Sequence, residues 1–173
     1  MDSFLLSQLL IAVAGVFDVL SFQFRSRAAI LFCLVLSASL ISAHFFVLGN
    51  STARGLAFIA AVRFFVAYHW PSDSAMRAFF AVNILCFLYT YATPVNLLPF
   101  VGTTVGTWAS FRRGDKAIRQ ALLVASSLWL AHNIIVYSPG AILLEATFVM
   151  SNLVGLYRFY GNQDKTVIQS PLI

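Results

Sequence analysis

Apolar residues gather along the chain into seven long runs, at 4–24, 28–48, 52–70, 75–91, 94–111, 117–137 and 140–160, with short polar stretches between them. Each run is close to the length of about 20 residues that an α-helix needs to cross a bilayer core. The fourth and fifth are the shortest, and Pro94 marks the break between them. The segment after Gly161 is polar and expected to fray. The connections are too short to fold into a domain, so any function sits within the helices or at their mouths.

Composition narrows this pattern to one solvent. Hydrophobic residues make up 60% of the 173 positions and charged residues 10%, against about 25% charged in an ordinary soluble domain. A soluble chain of this size would leave large apolar patches in water, whereas lipid accepts them. The expected class is therefore all-α and transmembrane, a seven-helix bundle. The net charge of +5 does not point to nucleic acid, because the basic residues lie between the runs instead of on one patch. Arg25 and Arg27 follow the first run, Arg77 opens the fourth, Arg112, Arg113, Lys116 and Arg119 crowd the fifth connection, and Arg158 and Lys165 end the chain; on the other side stands Arg54. Excess Lys and Arg mark the cytoplasmic face, so the expected orientation is N-terminus periplasmic and C-terminus cytoplasmic. The start, Met1-Asp2-Ser3-Phe4, lacks the basic region of a cleavable signal peptide. Cys33 and Cys86 lie deep in apolar runs and read as packed thiols.

An internal repeat is legible. Ser39-Leu40 with Ala43-His44 in the second run matches Ser127-Leu128 with Ala131-His132 in the sixth, and Ala53, Leu56 and Val66 match Ala141, Leu144 and Val154 at the same offset. Gly15 and Phe17 fall opposite Gly106 and Trp108 at an offset three residues longer. The runs thus divide into a first three-helix repeat (1–74), a linker helix (75–93), a second three-helix repeat (94–160) and a tail (161–173). An odd unit followed by one linker puts both units in the same orientation, the parallel 3+1+3 arrangement of the sugar-transporting SWEET proteins.

The residues also carry a resemblance. His44-Phe45-Phe46 ending in Leu48-Gly49, Arg63, the segment from Pro94 to Pro99 with Gly102-Thr103, Thr107-Trp108-Ala109, Trp129 with His132-Asn133, Glu145, Asn152 and Arg158-Phe159 together resemble the YgjV-type bacterial inner-membrane proteins. That family is similar, at a distance, to the SWEET, PQ-loop and nicotinamide-riboside-type transporters. The resemblance implies a bacterial inner membrane and a transport-like architecture, and supplies no substrate. The Pro-Gln pair of PQ-loop proteins is absent: Pro99-Phe100 and Ser7-Gln8 stand at the comparable places.

Ionisable groups inside a bilayer cost on the order of 2.5–3.5 kcal/mol and face the bundle interior or a water path. Asp18, His44, Arg63, His132 and Glu145 are such groups. His132 and Glu145 lie at similar distances from the turn near Ser138-Pro139, so a contact serving proton coupling, or simply joining two helices, is expected. His44 lacks such a partner and reads as a packing histidine. Arg63 cannot deprotonate and needs an anion, for which Asp18 is the preferred partner, with an anionic substrate as the alternative. Resemblance to SWEET-like transporters implies that Asn152 faces a substrate. Trp129, one turn before His132 and Asn133, is a candidate to stack on a ligand. Trp70 and Trp108 read as interfacial anchors, Asn83 as an interhelical hydrogen bond, and Gly102 with Gly106 as close helix packing. Pro99 is a candidate hinge.

The expected function is a small-solute transporter; the alternative is a non-transporting membrane partner or sensor. An enzyme is not expected, since no HExxH and no paired aspartates occur. Retinal is excluded because the only lysines, Lys116 and Lys165, lie outside the last helix. No cofactor and no metal are expected. The partners are the lipid bilayer and a small polar solute, with no nucleic acid; a homodimer is compatible with the pattern.

Overall fold

A computed structural model describes residues 3–49, 51–137 and 139–161; the tail expected after Gly161 therefore falls, from 162 on, outside the described residues. The described chain is helical: α1 (Ser3–Ser21), α2 (Arg27–Val47), α3 (Ser51–His69), α4 (Asp73–Thr90), α5 (Leu97–Ser110), α6 (Asp115–Ile135) and α7 (Pro139–Tyr160), with a 3-10 turn (Pro94–Asn96) ahead of α5. Each apolar run contains one helix.

The fifth run differs most from its reading. Thr93 and Asn96 close a capping box around Pro94, with the Asn96 Oδ1 accepting from the backbone N–H of Thr93 at 2.8 Å and of Ala92 at 3.2 Å. The α-helix proper starts at Leu97 and has 14 residues, about 21 Å at 1.5 Å per residue and short of the hydrocarbon core. Pro99 stands in its first turn, where a missing N–H breaks no helical bond. A proline in that position does not interrupt the helix as a mid-helix proline would.

Three helices, Phe4–Ser21, Arg27–Val47 and Ala141–Tyr160, are long and apolar enough to cross a membrane. The others fall short for visible reasons: α5 is short, α6 opens with Asp115, Lys116 and Arg119, α3 carries Arg54 and Arg63, and α4 carries Asp73 and Arg77. Among the described residues there are seven α-helices, and the span signature belongs to three. Their outer faces expose Phe4, Leu9, Val16, Leu143 and Tyr157, a belt suited to acyl chains and unsuited to water.

Successive helices α1, α2 and α3 pack on one another, as do α5, α6 and α7, while α4 lies on α5 and on α3. The two groups meet along two seams, α1 against α7 and α3 against α5. Both seams are parallel. Gly15 faces Leu144 and Phe22 faces Gly155 in one; in the other Arg63 meets Thr107, and Arg27 bridges Ala67 and Ser110.

Helices α2 and α6 are alike in detail. Each has 21 residues. Both stop the same way, with the N–H of Leu48 on the His44 carbonyl and that of Val136 on the His132 carbonyl. The next residue turns left-handed in both, Gly49 at φ 71° and Tyr137 at φ 55°. Glycine suits that conformation, and tyrosine enters it at a cost of about 1 kcal/mol. Ile30, Leu31, Cys33, Leu34, Ser37 and Ala38 are buried in α2; the residues 88 positions later, Ile118, Arg119, Ala121, Leu122, Ala125 and Ser126, are buried in α6. α1 and α5 end alike as well, in Ser21-Phe22 and Ser110-Phe111, all four buried.

The apolar core sits toward the end where α1, α3 and α5 finish and α2 and α6 begin. Phe22, Ile30, Leu31, Phe64, Phe111 and Ile118 are among its members. Beyond Ala38 and Ser126, toward the other ends of α2 and α6, the helices hold one buried residue each, His44 and Asn133.

Candidate functional site

The two seams hold the bundle's interior polar residues and treat them differently. At α3/α5 the Arg63 guanidinium donates to Thr107 Oγ1 at 3.2 Å and lies over the Phe64 ring at 4.6 Å. Asn83 of α4 donates to the same Thr107 oxygen at 2.9 Å, as expected of an interhelical hydrogen bond. Thr107 in turn donates to the Thr103 carbonyl at 2.8 Å. At the seam's end Arg27 donates to the carbonyls of Arg112 (2.6 Å), Ala67 (2.7 Å) and Ser110 (3.1 Å). Those carbonyls close the last turns of α3 and α5, where helices leave acceptors without partners and favour positive charge.

At α1/α7 a second arginine does the matching work. Arg119 is 0% exposed and donates to the Phe22 carbonyl at 2.8 Å and to the Phe24 carbonyl, capping α1. Asn152 of α7, also 0% exposed, donates to the Arg119 carbonyl at 2.7 Å, and its Oδ1 has no partner. Ser151 donates to the Val19 carbonyl at 2.8 Å and accepts from Gln23 at 3.2 Å. Gly155 permits this approach: a Cβ there would stand 2.5 Å from the Phe22 carbonyl oxygen and 2.6 Å from Arg119 Nη1.

Further along this seam the chemistry turns acidic. Asp18 of α1 is 9% exposed and faces Ser37 of α2. Glu145 of α7 faces Ser126 of α6 and lies within charge–charge range of Asp18. Beside them runs an apolar groove of about 490 Å³, lined by both helices and including Asp18, with a second of about 410 Å³ continuing it past Gln23 and Ser151.

Two expected pairings are not made. Arg63 and Asp18 occupy opposite seams, so Arg63 takes a hydroxyl and an aromatic face in place of the carboxylate. His132 and Glu145 also stay apart: His132 lies in the last turn of α6, whereas Glu145 is nearly two turns into α7 and meets Ser126, deeper in α6. His132 Nδ1 has no partner, and its ring stands edge-on to Trp129 at 6.0 Å. His44 is a satisfied packing histidine, with Nδ1 at 2.8 Å from the Ser7 carbonyl oxygen. Asn133 is buried, and Trp129 packs where a Cβ on Gly102 would meet its ring at 3.0 Å. The candidate contact residues thus occupy three places: Trp129, His132 and Asn133 along outer α6, Asn152 beneath Arg119, and Arg63 across the bundle. None of them lines the grooves.

Ser37, Ser126 and the two capping arginines were invisible to motif reading. The arginines looked like loop charges; their signal was the Ser-Phe pair ahead of each, which marks a helix end that needs capping. Among the described residues no group of three His, Cys, Asp or Glu side chains is placed to hold a metal ion.

Residues 5–163 match a family described as bacterial inner membrane protein, Imp-YgjV. The chain is 27% identical over 167 residues to the Inner membrane protein YgjV of Escherichia coli (strain K12), covering 96% of this chain and 91% of that protein. No solved structure matches it.

Proposed function

From the premise that this chain belongs to the Imp-YgjV family of bacterial inner membrane proteins, we propose that it is a multi-pass small-solute transporter of SWEET-like 3+1+3 architecture, with two parallel three-helix halves joined by α4. The observation that carries the reading is the likeness of α2 and α6: equal length, the same left-handed stop and six buried positions in common register. Exchanging the halves turns the α1/α7 seam into the α5/α3 seam, and both seams are packed. A twofold-like axis along the helices accounts for these facts, and solute sites in such proteins lie where the halves meet.

The position of the core fits a carrier closed at one end. Arg27 ties α2 to the end of α5 in the other half, and Arg119 ties α6 to the end of α1. Both ties lie at the basic end, cytoplasmic by the distribution of Lys and Arg. In this reading Arg119 with Asn152 forms the inner closure, and the free Asn152 oxygen is an acceptor exposed to solute when that closure opens. Trp129, His132 and Asn133 belong to the looser outer half.

Flux into proteoliposomes tests this reading, with sugars, nucleosides, organic acids and organic amines as solutes. In a background of Cys33→Ser and Cys86→Ser, Gly15→Cys with Leu144→Cys places a cross-link across the α1/α7 seam, where a Cβ on Gly15 lies 4.0 Å from the Leu144 side chain. The expected result is saturable flux that stops on oxidation and returns on reduction. Flux of none of these solutes, or flux indifferent to the cross-link, overturns the transporter reading and leaves the partner role.

A further inference from the structure

We propose that the groove along the α1/α7 seam binds a lipophilic organic cation, with the Asp18 carboxylate as its counter-ion. This deepens the transporter reading by naming a substrate class. The groove of about 490 Å³ is of a size to hold a small organic molecule. Its walls are mostly apolar, from Ile11, Val16 and Leu20 on α1 and Leu143, Leu144 and Phe148 on α7. Val16, Leu20 and Leu143 are exposed on the outer face, so the groove opens sideways, toward lipid, and admits a ligand that partitions into the bilayer.

Its charge is left open. Asp18 is 9% exposed. Among the described residues the groups facing it are Cys33 and Ser37 of α2 and Glu145 of α7, with no cation among them. Arg63 is held by Thr107 at the opposite seam, and Arg119 is held by the α1 carbonyls. Ser37, 1% exposed, turns its hydroxyl to Asp18 without completing a hydrogen bond. A carboxylate held out of water calls for positive charge. Here a buried carboxylate and an incompletely bonded hydroxyl meet at an apolar groove, with a second carboxylate, Glu145, within charge–charge range. A calcium or magnesium ion would want six or more oxygen ligands; a delocalised cation needs one carboxylate and apolar walls.

The pseudo-equivalent seam shows the site is not a general property of the bundle. There α4 covers the junction, Thr107 is held by Arg63 and Asn83, and among the described residues no acidic side chain takes part.

The test is equilibrium binding of tetraphenylphosphonium to the full chain in zwitterionic-lipid nanodiscs, with triphenylphosphine oxide as the uncharged analogue. The expected result is saturable binding of the cation, weakened about tenfold or more by Asp18→Asn, as loss of a charged contact implies. Glu145→Gln should weaken it less, and the uncharged analogue should not compete. Lowering the pH should weaken binding, because protonated Asp18 no longer serves as counter-ion. Leu144→Trp fills the groove with Asp18 intact and should also abolish binding; it decides the matter if Asp18→Asn does not fold. No binding by the unmodified chain, equal binding by folded Asp18→Asn, equal binding of the uncharged analogue, or binding retained by Leu144→Trp overturns the proposal. Binding is read without flux, so binding with no transport sinks only the transporter reading, and transport of other solutes with no cation binding sinks only this one.

Discussion

The α3/α5 and α1/α7 seams begin from the same parts and end differently. Each joins two parallel helices, and each is closed at the basic end by an arginine from the start of a neighbouring helix, Arg27 in one and Arg119 in the other. The first is covered: α4 lies over it, and Arg63 and Asn83 both donate to Thr107, while the Arg63 Nε keeps no partner. Among the described residues the second has no covering helix, and its two carboxylates lie without a cation beside a lateral groove. The asymmetry leaves the two carboxylates, rather than the Arg63 guanidinium, at the bare seam.

Substitutions at the two seams should separate them, beginning with the largest effect. Gly155→Leu drives a side chain into the Phe22 carbonyl and Arg119 and should destabilise the protein by about 3 kcal/mol or prevent folding. Gly55→Leu, with nothing within 4 Å of the new Cβ, should change little. Thermal unfolding in detergent compares them. Arg119→Met leaves the α1 carbonyls uncapped and should cost about 2–3 kcal/mol. Arg27→Met should cost a similar amount at the other seam, and hydrogen exchange should localise the loss to the ends of α1 in the first case and of α3 and α5 in the second. A double-mutant cycle of Asn83→Leu and Thr107→Val should give a coupling of about 1 kcal/mol, the worth of one interior hydrogen bond. Smallest of all, Tyr137→Gly should raise stability by up to about 1 kcal/mol by relieving the left-handed stop of α6; a fall would mean that the tyrosine side chain holds this turn.

Much of this architecture was legible as pattern. The seven apolar runs each contain a helix, and Ser39 with His44 against Ser127 with His132 pointed to the two helices, α2 and α6, that share length and stop. Their buried positions share a spacing without sharing residue types: Leu31 and Arg119 stand 88 residues apart, as do Ser37 and Ala125. The start of α5 was misplaced because a proline can open either a 3-10 turn or an α-helix, and only the Thr93–Asn96 box decides between them. The site was harder to read. Opposite charge suggested Arg63 with Asp18, but charge carries no information about which seam a helix face reaches. Equal distance from a turn suggested His132 with Glu145, but side-chain direction and helix register brought Glu145 to Ser126 instead. Arg119 sits at a helix start among loop-like charges and is nevertheless fully buried.

The central claim is that one seam is fixed and the other opens, and spin-label distances across both seams test it most directly. In the cysteine-free background, one label pair at positions 13 and 153, outside the groove lining, spans α1/α7 and another at positions 62 and 101 spans α3/α5; all four residues are exposed. Measured in nanodiscs, the first pair should show two populated distances whose balance shifts with an organic cation, and the second a single narrow distance. A single distance for the first pair, or the broader distribution at α3/α5, would contradict the account.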